Sequence, residues 1–138
     1  VSIIYKTSDR IPVQIGEVVI KLSPLTYDQK TEIQLLISAG GIDSLLKAAN
    51  TAIKYAVKGI SGIQNSDGSD YELKFEGNML DQESVDDLSN LEECEKLSGI
   101  CVSILNGIPK EFIDPSTNKP MKDVKIIKSS KGNSKRKK

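Results

Sequence analysis

Residues 11–26 read IPVQIGEVVIKLSPLT, and the fold is decided there. Val13 and Ile15 alternate with Gln14, and Val18, Ile20 and Leu22 share one face, the period-two pattern of half-buried strands. Gly16 stands between the two runs. With no Cβ it can take the positive φ that a tight hairpin turn needs. The stretch therefore predicts an N-terminal β-hairpin. Ser23-Pro24 ends the second strand. Thr26, with Gln29 three residues later, has the spacing of a capping box and opens a helix through Ile33, Leu36 and Ile37. Gly40-Gly41 stops it.

Outward from the hairpin the pattern turns helical. Ile42, Leu45, Leu46, Ala49, Ala52, Ile53, Ala56, Val57 and Ile60 recur at spacings of three and four, with Asp43, Lys47, Asn50 and Lys54 on the other side. This predicts an amphipathic helix broken by Gly59-Ile60-Ser61-Gly62, whose alanines allow a neighbouring helix to approach closely. Asn65-Ser66-Asp67-Gly68 is a turn. Residues 71–75 alternate as a strand with Tyr71, Leu73 and Phe75 on one face. A short helix over 81–88 precedes a longer one over 91–105, whose stripe is Cys94, Leu97, Cys101, Ile104 and Leu105 and which Gly107 and Pro109 end. Residues 114–120 are a turn or loop, and Val124-Lys125-Ile126-Ile127 makes one more short strand. Residues 129–138 contain no apolar side chain to offset the entropy of ordering, which predicts a disordered basic tail. The expected fold class is α+β: a single small domain over 1–128, with an N-terminal β-hairpin followed by a mainly α-helical part and an additional short strand, and then the disordered basic tail over 129–138.

At 138 residues the chain has room for one domain and a core without metal or disulfide staples. Trp is absent and Phe occurs twice, so that core must be aliphatic. Lys and Arg number 19 against 19 Asp and Glu, which removes any global field toward nucleic acid or membrane. Locally the balance fails. Lys74 faces eleven acids between Asp67 and Glu95, while from Lys119 onward nine basic residues face Asp123 alone. Cys94 and Cys101 lie about 10 Å apart along a shared helix, too far for a disulfide, which fits two buried thiols in a reducing compartment. No apolar run approaches the roughly 18 residues of a membrane span, and Val1 to Tyr5 is too short for a signal-peptide core. Cytosol is the expected location.

The absence of histidine removes Ser-His-Asp and Cys-His catalysis and His-based zinc sites, and two cysteines cannot close a tetrahedral zinc site. Phosphate-binding and dinucleotide glycine motifs are missing. Asn65 to Asp70 superficially resembles a calcium loop. Placing Gly68 sixth puts Ile63 first, and Ile63 cannot ligate through its side chain. Asp86-Asp87 and Glu92-Glu93 read as a solvated helix face rather than as a catalytic pair. Neither an enzyme nor a cofactor is expected. Lys135-Arg136-Lys137-Lys138 could hold phosphates, but no aromatic residue is interleaved to stack on bases.

The order of elements resembles a known family. A strand (Glu17 to Leu22) leads through Pro24-Leu25-Thr26 into a helix. A second amphipathic helix ends at Ala56-Val57-Lys58-Gly59-Ile60, before a polar turn, an acidic helical segment and a lysine-rich end. Across residues 17–108 and the final Lys137-Lys138 this is similar to the tail assembly chaperones of long-tailed bacteriophages. The resemblance implies a non-catalytic assembly factor in the host cell cytoplasm. It would coat the apolar helices of the tape measure protein, help the tail tube protein polymerise around it, and self-associate. It also implies that a frameshift near the end can append a second domain. Candidate partner-binding residues are Leu45, Leu46, Ala49, Ile53 and Val57 on the second helix and Leu97, Cys101, Ile104 and Leu105 on the last, although stripes of this kind more often pack on each other as core. Two other classes compete: a structural virion component such as a tail or head-tail connector protein, and a small nucleic-acid-binding protein acting through its basic tail.

Overall fold

A computed structural model of the chain describes residues 3–114 and 117–127. Strands β1 (Ile11–Ile15) and β2 (Val18–Leu22) form the expected hairpin, with Ile11 opposite Leu22 and Ile15 opposite Val18. Gly16 has φ +60° at the first central position of the two-residue turn, where a type II′ turn requires glycine. Val13, Ile15, Val18, Ile20 and Leu22 are all buried, so the alternation seen in the sequence defines the core face.

The sheet is larger than a hairpin. Two further strands, β3 (Val57–Ser61) and β8 (Val124–Ile126), give it the order β3-β2-β1-β8, and every pairing is antiparallel. Strand β8 (Val124–Ile126) is the extra strand the sequence predicts, and it pairs with Val13 to Ile15 of β1. Pro12 fits inside this sheet because its carbonyl accepts from the Ile127 N–H. Its imide nitrogen therefore faces the same side, past the end of the β1–β8 ladder.

Strand β3 (Val57–Ser61) corrects the sequence reading. Val57 and Ile60 extend the apolar period of the second helix, yet α2 (Gly41–Ala56) ends before them and Val57 is extended, with φ −81° and ψ 119°. Strand β2 would otherwise present an unpaired edge. The segment 57–61 closes it, with Val57 opposite Leu22, Gly59 opposite Lys21 and Ser61 opposite Val19. The register slips between Lys21 and Leu22, leaving Lys58 as the extra residue of a β-bulge.

Helix α1 (Tyr27–Ser38) opens with the predicted capping box. Gln29 N–H donates to Thr26 Oγ1 at 3.1 Å, and Thr26 N–H donates to Gln29 Oε1 at 2.9 Å. Gly40 and Gly41, at φ +77° and +83°, turn the chain into α2, which packs along α1. Ala48, Ala52, Ile53 and Ala56 bury the inner face of α2, and the small alanines let α4 (Cys94–Ser103) lie against it.

The predicted strand over 71–75 is reduced to its last residue. Phe75–Glu76 (β4) pairs with Met79–Leu80 (β5). Tyr71 to Lys74 are held instead by individual bonds: Tyr71 N–H to the Ile63 carbonyl, Tyr71 hydroxyl to Asp87, and Lys74 N–H to the buried Ser84 hydroxyl. Asp81 caps α3 (Gln82–Leu88) through the Ser84 N–H at 2.9 Å. The last helix starts at Cys94 rather than Leu91 and tightens into a 3-10 turn over Ile104–Asn106. Within the predicted loop, Ile113–Asp114 (β6) pairs with Lys119–Pro120 (β7). The described part is thus the predicted α+β fold with a wider sheet. Its core is one aliphatic cluster in which Phe112 is the one fully buried aromatic among the described residues. The basic tail expected over 129–138 lies outside the described residues.

Candidate functional site

Six of the nine candidate partner-binding residues are core. Ile53, Val57, Leu97, Cys101, Ile104 and Leu105 are buried: α2 and α4 pack on each other, and Val57, as the first residue of β3, is buried within the core. They offer nothing to a partner. Burial pushes the Cys101 thiol far above its ordinary value, with nearby Cys94 adding to the effect, so Cys101 stays an uncharged core thiol. Cys94 is half-buried, and both cysteines are free.

The remaining three define a surface. Leu45 is 48% exposed, Leu46 62% and Ile42 69%, while Ala49 is half-buried beside them. Spacings of three and four put these residues on one face of the first two turns of α2. On the adjoining α1, Leu35 is 68% exposed as well. The sequence explains the placement. The two glycines turn the chain into α2, whose buried residues begin only at Ala48, and α1 has Ile33 as its one fully buried residue. Ile42, Leu45 and Leu46 thus present one exposed apolar face at helical spacing, the kind of surface that on a monomer reads as an interaction site.

A second feature lies at the other end of α2. A cleft of about 370 Å³ opens beside the β-bulge, with Arg10, Lys58, Tyr55, Phe75, Ser23 and Asn78 on its walls. Arg10 immediately precedes β1, and its guanidinium donates to the Thr7 and Asp9 carbonyls. Lys58 donates to the Asn78 carbonyl. Among the described residues neither cation has a carboxylate partner, the one salt bridge being Lys74–Glu83. Burial, and then Arg10 across the cleft, hold the Lys58 ammonium below its ordinary pKa. Glu32 lies outside the cleft wall and accepts the Tyr55 hydroxyl at 2.6 Å. That bond raises the Tyr55 pKa, with burial and the Glu32 charge adding to it.

The sequence reading passed over Arg10 and Lys58. The available signal was Gly59, an isolated glycine among strand-like residues, which marks a bulge or a close backbone approach. The Asn65 to Asp70 segment is the turn the sequence predicts. Asp67 accepts from both the N–H and the hydroxyl of Ser69, and these bonds lower its pKa. Among the described residues no three His, Cys, Asp or Glu side chains cluster as a metal site, and no helix is long and apolar enough to cross a membrane. No protein-family model matches the chain, and comparison with curated proteins and with solved structures gives no significant match.

Proposed function

We propose that the chain is a non-catalytic protein-binding factor, and within that class a bacteriophage tail assembly chaperone acting in the host cytoplasm on the tape measure protein and the tail tube protein. The observation that supports this reading is the exposed apolar face formed by Ile42, Leu45 and Leu46 at the start of α2. An amphipathic helix of a partner can lay its apolar face on such a surface, reading it through anchors spaced at three and four residues. Asp43 and Lys47 border the tip without crossing it, so the contact would be chiefly apolar and tolerant of many helical sequences.

Co-expression of the full chain with the tape measure protein of its phage tests the reading. The expected result is that the wild-type chain keeps the long helical protein soluble. A Leu45→Ser/Leu46→Ser variant, folded by circular dichroism, does so poorly. Failure of the wild-type chain to rescue solubility counts against the chaperone. Rescue by the double variant equal to wild type removes the α2 tip as the surface. Detection of the chain in purified virions by mass spectrometry would favour a structural component instead.

A further inference from the structure

The bulge at Lys58 has a result that the apolar tip does not share. In a regular strand Lys58 would sit opposite a β2 residue and alternate with Val57 and Gly59. The register slip between Lys21 and Leu22 removes it from the ladder, and its side chain lines the cleft where Arg10 also stands. Two cations are thus gathered in one concave space, bonded only to backbone carbonyls and with no carboxylate on the cleft wall. Like charges brought together on a wall that carries no carboxylate are electrostatically unfavourable, and an anion between them relieves that. The position of Lys58 below its ordinary pKa, through burial and then Arg10, fits the same picture.

The other walls narrow the class of anion. Phe75 is 43% exposed and forms part of the cleft, giving a flat apolar face beside the charges. Thr26 and Gln29 are committed to each other in the capping box, and the Ser23 hydroxyl donates to the Thr7 carbonyl. The polar wall there is held in place. A guanidinium fork with a second point charge suits a dianion better than a single carboxylate, and a phosphate monoester is largely dianionic near neutral pH. The cleft volume, about 370 Å³, lies at the small end of the range for ligand pockets. The geometry points to a binding site for a phosphate monoester carried on a flat ring, mononucleotide in size. The phosphate would lie between Arg10 and Lys58 and the ring against Phe75.

Titration of the full chain with adenosine monophosphate, and separately with inorganic phosphate, tests this by calorimetry or by amide shifts in NMR. Saturable binding of the nucleotide is expected with Kd below about 1 mM, with inorganic phosphate at least about tenfold weaker. Arg10→Gln and Lys58→Met should each weaken nucleotide binding by about tenfold or more, and Phe75→Ser should bring it down to the level of inorganic phosphate. Arg10 is exposed, so Arg10→Gln keeps the test open if Lys58→Met fails to fold. Absence of saturation at about 10 mM nucleotide, or wild-type affinity in Arg10→Gln, overturns the site. Equal affinity for nucleotide and inorganic phosphate overturns the part assigned to Phe75.

Discussion

Leu46 and Leu97 both lie on apolar stripes that a reader of the sequence could assign to a partner, and truncating each to alanine separates surface from core. Leu97 is 1% exposed, on α4 facing α2. Removing its isopropyl group loses the full transfer free energy of the deleted atoms and leaves a cavity that packed neighbours fill only in part, a loss of about 2–5 kcal/mol. Leu46 keeps 62% of its surface in water even in the fold. Little more than a third of its hydrophobic contribution is at stake and no closed cavity forms. Alanine's better helix propensity offsets part of that, so the loss should stay near 0.5 kcal/mol. Urea unfolding followed by far-UV circular dichroism measures both, provided the slope against denaturant is unchanged. A domain of this kind has about 5–15 kcal/mol in total, so the expected gap between the variants is a large fraction of the stability. Equal losses would refute the placement of the two stripes. A loss of about 2 kcal/mol or more in Leu46→Ala would mean that the tip is covered, for instance by a second copy.

Gly62→Ala should destabilise by about 2–3 kcal/mol in the same assay, because Gly62 has φ +86° and an added Cβ would fall 2.3 Å from the Glu17 carbonyl oxygen. Thr26→Ala breaks the capping box that starts α1 and should cost about 1 kcal/mol, read as a shift of the urea midpoint at constant slope. A thiol reagent at neutral pH should modify Cys94 in the native protein while Cys101 reacts only on unfolding, which mass spectrometry of the labelled peptides checks. Above the ordinary cysteine pKa the unfolded thiol of Cys101 ionises while the buried one, with its pKa raised, keeps its proton. Its contribution to stability is thus present below that pH and lost as pH rises. Wild type should lose more stability than Cys101→Val between pH 8 and 10 in urea titrations, by no more than about 1.4 kcal/mol per pH unit.

Local chemistry made the first part of the fold readable. The β1–β2 hairpin, its Gly16 turn, the Thr26–Gln29 box and the Gly40-Gly41 stop each depend on residues within a few positions of one another. Where the reading failed, a distant partner decided. Val57 and Ile60 continue a helical period, and nothing nearby says that the edge of β2 will claim them. The segment 71–75 alternates correctly, but its backbone groups find Ser84 and Ile63 instead of a strand. The candidate site was legible only in part. Periodicity marks an apolar face without saying which turns of it reach a neighbour, so Leu45 and Leu46 could not be told from Ile53 and Leu97.

Helix α2 carries the relation between the two surfaces. Its first turns hold Ile42, Leu45 and Leu46 out of the body, its last residues include Tyr55 on the cleft wall, and the chain then passes directly into the bulged Lys58. Ten residues separate Leu45 from Tyr55, about 15 Å along the axis. Between them Ala48, Ala52 and Ile53 are clamped in the core, so that span of helix is fixed. A small anion in the cleft, about 15 Å from Leu45 along the axis, would not touch the tip. Substitutions at the two ends share no neighbours, so their effects should add within a few tenths of a kcal/mol. A non-additive pair, such as Leu46→Ser with Arg10→Gln, would show that α2 shifts as a unit and that the two surfaces report on each other.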